Sequence, residues 1–324
     1  MTAATDLSLR PAPPDGTVRA RGVRLRPLDH SLAVAVVLPL LAIGERVTHG
    51  DVRFTAIVVA VGLVSVGVPH GQFDWPAARD RLKPVLGRCW LPVFLIGYLT
   101  LAAAVVAVWA ASPLWGLLSF LILSGLHFGL EDLQAQVDAP GLPAWLIVGV
   151  RGALPLLVVA SHKAEVSRLL SLLLDIAPSS VEPWVGATVS RLGPLWAVGF
   201  GALVFADLAA CRVTAAAELV AAAVSLALLP PVLGFVLWFT LVHSVRHLLQ
   251  VAAERRGSKG ESAGLGRPLA RGAAVSAAIL AAGALMTVWL PWPMLFRAAV
   301  VGMAALTLPH LVACAWSGGV KLQR

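Results

Sequence analysis

Charge is what this chain has least of. Only 13% of its 324 residues are Asp, Glu, Lys or Arg, where a soluble chain carries about 25%. So few charges cannot cover a water-facing surface, which excludes a soluble enzyme or binding module of this length. Ten-residue strands alternating apolar and polar faces are missing too, which argues against a β-barrel. Cysteine is scarce: Cys89, Cys211 and Cys314 are far apart and form no CxxC pair, so no disulfide framework is implied. Tyr98 is the single tyrosine, leaving few phenols for any tyrosine-dependent step. The first 27 residues hold Pro and Arg but no apolar core, so they read as a disordered basic tail rather than a cleavable signal peptide.

What is present is apolar. Hydrophobic residues make up 58% of the chain and mean hydropathy is +0.84. A bilayer is crossed by about 20 apolar residues in a helix, and lipid tolerates only backbones that satisfy their own hydrogen bonds. The expected fold is therefore all-α, a polytopic integral membrane bundle of about ten helices forming one domain over residues 28–324. The spans read as 31–47, 54–70, 91–110, 113–131, 143–160, 193–210, 214–230, 232–252, 270–290 and 295–315. Residues 167–176, with Arg168 and Asp175 among leucines, suit a helix lying in the interface. Pro230-Pro231 parts the seventh span from the eighth, because proline donates no backbone hydrogen bond.

The net charge of +8 does not indicate nucleic acid, because the basic residues fall between apolar runs. They cluster at Arg10 to Arg26, at Arg79, Arg81, Lys83 and Arg88, and at Arg255, Arg256, Lys259, Arg267 and Arg271. Such clusters mark cytoplasmic loops and contact with anionic membrane lipids. With the N-terminus cytoplasmic, loops 71–90 and 253–270 and the C-terminal Lys321 and Arg324 fall on the same side. The expected location is the plasma membrane, multi-pass, with both termini in the cytoplasm.

Histidines are the exception to this apolar pattern. His70 ends the second span, His127 lies in the fourth, His243 and His247 in the eighth and His310 in the tenth. All five are on even-numbered spans, so all approach the cytoplasmic half of the bilayer. Buried imidazoles in hydrocarbon are costly and call for a shared partner. His243 and His247 are four apart, one turn along the same helical face, and imidazole is a common ligand of transition metals. The plainer reading is a pair of packing histidines bonded to neighbouring helices.

The other motifs also admit two readings. In Pro69-His70-Gly71 the histidine sits at a loosened helix end, and Asp74, one turn on, can accept a ring N–H of a metal-bound histidine; otherwise Asp74 is solvated at the interface. His127 lies between Gly125 and Gly129, where another backbone or a substrate can approach. Glu131 and Asp132 follow as a carboxylate ligand, as acceptors for ligand N–H groups, or as an acidic helix end. Arg246 faces away from the histidine pair and either reaches the headgroups or holds a carboxylate. His310 is a further ligand, an outer neighbour or a packing residue, and His30, His49 and His162 lie near loops. Four neutral imidazoles with open positions suit Fe(II) and dioxygen better than structural zinc. A site among lipid-facing helices suits a lipid-soluble substrate, and Trp75, Trp109, Trp115, Phe120, Phe128, Trp238 and Phe239 offer flat walls for one or ordinary packing.

The ordered set Pro69-His70-Gly71 with Asp74, His127-Phe128-Gly129 with Asp132, His243-Ser244-Val245-Arg246-His247 and Pro309-His310 resembles the Brp/Blh family of membrane β-carotene 15,15′-dioxygenases. The resemblance runs over roughly residues 31–315. It implies cleavage of the central 15,15′ double bond of β-carotene or a related carotenoid with O2, giving two retinal molecules. By motif, His70, His127, His243 and His247 would hold Fe(2+), and Asp74, Asp132 and His310 would stand behind them. Retinal would pass into membrane lipid or to a rhodopsin. The chain departs from the family at Trp75, where members often carry histidine after the motif aspartate.

Other classes fit less well. Di-iron hydroxylases and desaturases need HxxHH clusters, and this chain has none. A bis-histidine haem protein for electron transfer would use histidines on facing helices. A non-catalytic transporter would need charges at mid-membrane, for which Arg151 and Asp207 are the candidates.

Overall fold

The computed structural model describes residues 27–48, 58, 60–135, 141–259, 266–286 and 288–318. The basic tail, His49 and the C-terminal Lys321 and Arg324 lie outside them. Among the described residues the chain is helical, without strands. In order the helices are α1 (Pro27–Thr48), α2 (Asp74–Leu86), α3 (Trp90–Ala111), α4 (Pro113–Ala135), α5 (Ala144–Ala160) and α6 (Lys163–Leu174). They continue with α7 (Pro178–Ala209), α8 (Val213–Leu228), α9 (Pro231–Leu237), α10 (Val245–Lys259), α11 (Gly266–Met286) and α12 (Trp292–Gly318).

Among the described residues, five helical runs are long and apolar enough to cross a membrane, or six if the pair Ala144–Ala160 and Lys163–Leu174, bent by 96°, counts as one span. Three shorter apolar stretches, His30–Glu45, Val213–Leu228 and Ala270–Met286, accompany them. This is the pattern of a multi-pass membrane protein.

Most expected spans coincide with a helix, but four segments differ. The expected loop at 71–90 is largely α2, whose Ala77, Ala78, Leu82 and Val85 are spaced among its charges in a helical period. The span expected at 193–210 begins at Pro178, with Pro183 and Pro194 inside a helix of 32 residues. The second and eighth spans are not uniform α-helices. Leu63–Gly67 and Trp238–Ser244 are π-helical, and Pro69–Phe73 is a 3-10 turn. Pro230-Pro231 breaks the chain as expected, Pro231 opening α9 at its first position.

The two π segments pack against each other. A Cβ added at Gly62 would lie 3.3 Å from the Thr240 side chain, and at Gly67 3.0 Å. Thr240 in turn donates its hydroxyl to the Val236 carbonyl at 2.8 Å. Such insertions widen a helix by one residue and recur at functional sites. The second close approach joins α4 to α5, where a Cβ at Gly129 would collide with the Val148 backbone and one at Gly152 with the Gly125 backbone. Small residues four apart let membrane helices meet backbone to backbone, and this contact fixes His127, which lies between the two α4 glycines. A core of Val34, Leu38, Leu154, Leu203, Leu226 and Leu233 packs α1, α5, α7, α8 and α9 together beside it.

Candidate metal centre

Five histidines from four parts of the chain meet in one buried cluster. His70, His127, His243, His247 and His310 are each at most 8% exposed. His70 has ring centroids 5.5 Å from His243, 5.7 Å from His247 and 5.1 Å from His310. His127 lies 5.0 Å from both His243 and His310, and His247 lies 5.7 Å from His310. Rings in edge-to-face contact at these separations leave no slot for a porphyrin, which removes the paired-histidine haem arrangement. His310 stands as close to the others as they do to one another. His30 and His162 stay apart, bonded to the Leu241 and Leu226 carbonyls.

Three of the imidazoles, His70, His247 and His310, are oriented by what holds their Nδ1. The π segment carries the Gly67 carbonyl under His70 Nδ1, with the Ser244 hydroxyl 3.3 Å from the same atom. A carbonyl only accepts, so Nδ1 donates and Nε2 keeps its lone pair. Asp74 accepts from His310 Nδ1 at 2.8 and 3.0 Å. It opens α2 one turn beyond His70, yet it holds His310 from the far end of the chain, because His70 already turns back to Gly67. His247 Nδ1 lies 2.9 Å from Glu131 Oε1.

Glu131 occupies the middle of the cluster. Its carboxylate also faces His243 Nε2 at 3.4 Å and His127 Nε2 at 3.9 Å. Glu131 Oε2 and His243 Nε2 are buried without a hydrogen-bond partner. Ligand atoms of His70, His127 and His310, and of His127, Glu131 and His243, lie within 4.8 Å of one another. Cys314 adds a sulfur 3.6 Å from His310 Nε2. Lone pairs turned inward, a central carboxylate and orphaned polar atoms fit a transition-metal ion, and the nitrogen-rich donor set suits iron, copper or zinc.

Asp132 looks elsewhere. It pairs with Arg246, which also holds Glu218, and both contacts are short and buried. Arg151 reaches Asp132 at 3.5 Å and Asp207 at 3.6 Å, and Arg212 reaches Asp207 at 3.5 Å. Arg246 thus grips carboxylates rather than extending to headgroups, and Asp132 touches the histidines only through α10. Arg151 and Asp207 are buried parts of this ion-pair chain.

Aromatic rings close one side. Phe128 lies 4.8 Å from His243, and Phe239 and Trp238 stack on it at 5.5 and 6.0 Å. Trp75 packs on Trp90 and Phe94 instead, Trp109 and Phe120 belong to a second apolar cluster, and Trp115 is exposed. Glu131, four residues after His127 on the same helical face, stands where the sequence offered a carboxylate ligand or acceptor, whereas Glu218, on Arg246, is a buried acid the sequence did not single out. Its signal was that of a lone acid in an apolar helix.

Comparison with known proteins gives the family. Residues 61–317 match the family described as β-carotene 15,15′-dioxygenase. A probable β-carotene 15,15′-dioxygenase, Blh, of Halobacterium salinarum is 29% identical, covering 94% of this chain and 96% of its own. A β-carotene 15,15′-dioxygenase of an uncultured marine bacterium, 66A03, is 26% identical over 77% of this chain and 89% of its own. The probable dioxygenase Brp of Halobacterium salinarum is 24% identical, covering 80% and 82%. No solved structure matches the chain significantly. The match takes in all five clustered histidines and both carboxylates among them, and the chain belongs to the β-carotene 15,15′-dioxygenase family.

Proposed function

We propose that this protein is an iron-dependent dioxygenase that cleaves the central 15,15′ double bond of β-carotene, or of a related carotenoid, with O2. The carbon–carbon double bond breaks, each carbon gains one oxygen as an aldehyde, and two retinal molecules result with no hydrogen or external electron required. The observation that carries the reading is the meeting of five buried imidazoles, three of them against Glu131, in a chain whose relatives are named for this reaction.

His70, His127, His243 and His247 would hold Fe(2+), and Glu131 and His310 are placed to complete or steady the set. Bound there, ferrous iron supplies the redox chemistry that lets dioxygen react with an alkene. The protein's own part is positional. The Gly67 carbonyl, Asp74 and Glu131 keep protons on Nδ1 of His70, His310 and His247, which fixes the rings. Asp132 steadies His247 indirectly, through Arg246 on the same helix. Phe128, Trp238 and Phe239 keep water away from the centre.

The reading extends to topology. About ten spans follow if the run 60–111 crosses twice and α5 and the three shorter apolar stretches also cross, forming one domain after the basic tail. Both termini are then cytoplasmic, in the plasma membrane, and retinal leaves into lipid or to a rhodopsin.

The test is expression in a bacterium that makes β-carotene, with His243→Ala as the control. Bleached pigment and extracted retinal are expected from the wild type alone. Well-inserted wild-type protein that leaves the pigment intact would overturn the reading. Chelation should abolish cleavage in the purified protein, and Fe(II) rather than Zn(II) should restore it.

A further inference from the structure

Beside the histidines, α2, α3 and α12 line an apolar groove. Its lining includes Ala78, Leu82, Phe94, Gly97, Tyr98 and Pro309. Val93, which also lines it, is 47% exposed, so the groove opens at the surface. Along α2 its lining runs from Ala77 to Leu82, about 7.5 Å at the helical rise.

Two observations give this groove an occupant. One is its wall. Phe94 and Tyr98 line it with ring centroids 5.5 Å apart, and Trp75, behind the lining, backs Phe94 at 6.1 Å and meets Trp90 at 5.1 Å. Gly97 lies between Phe94 and Tyr98, and an added Cβ there would meet no atom within 4 Å. The result is an aromatic ladder beside an open slot. The other is where the groove ends. Tyr98 donates its hydroxyl to Asp74 at 3.4 Å, Asp74 holds His310, and Pro309 lines the groove next to it. The inner end is therefore two hydrogen bonds from the imidazole cluster.

We propose that this groove holds one arm of the carotenoid, the polyene passing Gly97 along Phe94 and Tyr98 so that its centre reaches the histidines. The assignment rests on the dioxygenase reading for the identity of the polyene. A conjugated chain is flat and already rigid, so it loses little conformational freedom in a slot and gains contact with aromatic faces. A flexible acyl chain gains neither advantage. Specificity for arm width then depends on Gly97, the narrowest side chain on the wall.

The experiment uses the full chain in detergent, stripped of metal by a chelator, so that binding is read without turnover. β-Carotene is added, and co-eluting pigment and the induced circular dichroism of the polyene are measured. Gly97→Phe should lower bound carotenoid at least tenfold, and Phe94→Ala severalfold. Gly201→Phe, a glycine on α7 with equally open space, serves as the control for bulk alone and should bind like the wild type. Reloaded with Fe(II), Gly97→Phe should take up as much metal as the wild type and form at least tenfold less retinal. Undiminished binding in both Gly97→Phe and Phe94→Ala would overturn the groove, even if the wild type makes retinal. Binding lost in Gly97→Phe, in a wild type that binds carotenoid but makes no retinal, would uphold the groove and sink the dioxygenase reading. A wild type that binds no carotenoid would overturn the proposal outright.

Discussion

Glu131 and Asp132 are consecutive on α4, yet they look into different kinds of buried polar surroundings. On the Asp132 side, Arg246, Arg151 and Arg212 meet Asp132, Glu218 and Asp207. Three guanidiniums face three carboxylates, and the chain of contacts ties α4, α5, α7, α8 and α10 together. On the Glu131 side, three imidazoles of the five-histidine cluster face one carboxylate and Asp74 holds His310. Orphaned polar atoms occur on both sides, Glu131 Oε2 and His243 Nε2 on this one and Arg151 Nε, Glu218 Oε2 and both Asp207 oxygens on the other, so the two differ in charge: imidazoles, not guanidiniums, face Glu131 and Asp74. A divalent cation would balance the carboxylates of that side, while on the other the charges already match in number. A buried charge persists only when paired, so the first set reads as a finished tie between helices and the second as a place for an ion.

The largest expected effect follows from breaking the open side. His247→Ala removes an imidazole and also the partner of Glu131 Oε1. It should abolish metal loading and carotenoid cleavage while membrane insertion stays intact. Metal analysis of the purified variant decides this: unchanged iron content would remove His247 from the set of ligands.

The finished side should fail in the opposite way. Asp207 is fully buried, and Asp207→Asn leaves Arg151 with Asp132 alone. Breaking one partner of a buried pair costs about 3–5 kcal/mol, and the low end is expected because Asp132 remains. Thermal unfolding in detergent should fall accordingly, with iron per folded molecule unchanged. Adding Arg151→Met should recover much of the loss. Iron that disappears while stability holds would show that the two sides are not distinct.

The sequence carried much of this division, though unevenly. Hydropathy located the helices because lipid demands long apolar runs, and the four-residue step from His243 to His247 placed both on one face. Convergence was expected from placing all five histidines on even-numbered spans, and the five rings do meet. The π segments were not legible, since an extra residue per turn leaves the hydropathy unchanged. Their cause is the packing of Thr240 against Gly62 and Gly67, more than 170 residues away in the chain. Helix α2 was hidden by its charges, which resemble those of a cytoplasmic loop. The different fates of Glu131 and Asp132 follow from about 100° of helical rotation between consecutive residues, and the partners that make this matter come from α5, α8 and α10.

A smaller effect should come from the carboxylate behind the cluster. Asp74→Asn removes the charge that orients His310 without touching the other rings. Losing such a partner typically lowers metal affinity about 10–100-fold. Titration with Fe(II) should therefore show weaker binding that excess metal overcomes, unlike the loss in His247→Ala. His310→Ala should fall in the same range, and a complete loss there would move His310 in among the ligands.

The smallest effect expected is that of Tyr98→Phe. The phenol touches the centre only through a long, 3.4 Å hydrogen bond to Asp74, and Asp74 keeps His310 as its nearer partner. A hydrogen bond of this kind contributes about 1 kcal/mol or less, so iron affinity should fall less than about fivefold. The groove keeps its flat wall, because phenylalanine presents the same ring. Retinal formation at saturating iron should then stay within the same factor. A hundredfold loss of cleavage with iron retained would break the comparison at its edge: the one tyrosine of the chain would be acting on the substrate, not merely steadying Asp74. Retained cleavage would leave imidazoles, carboxylates and iron as the groups that matter, with the aromatic wall serving shape alone.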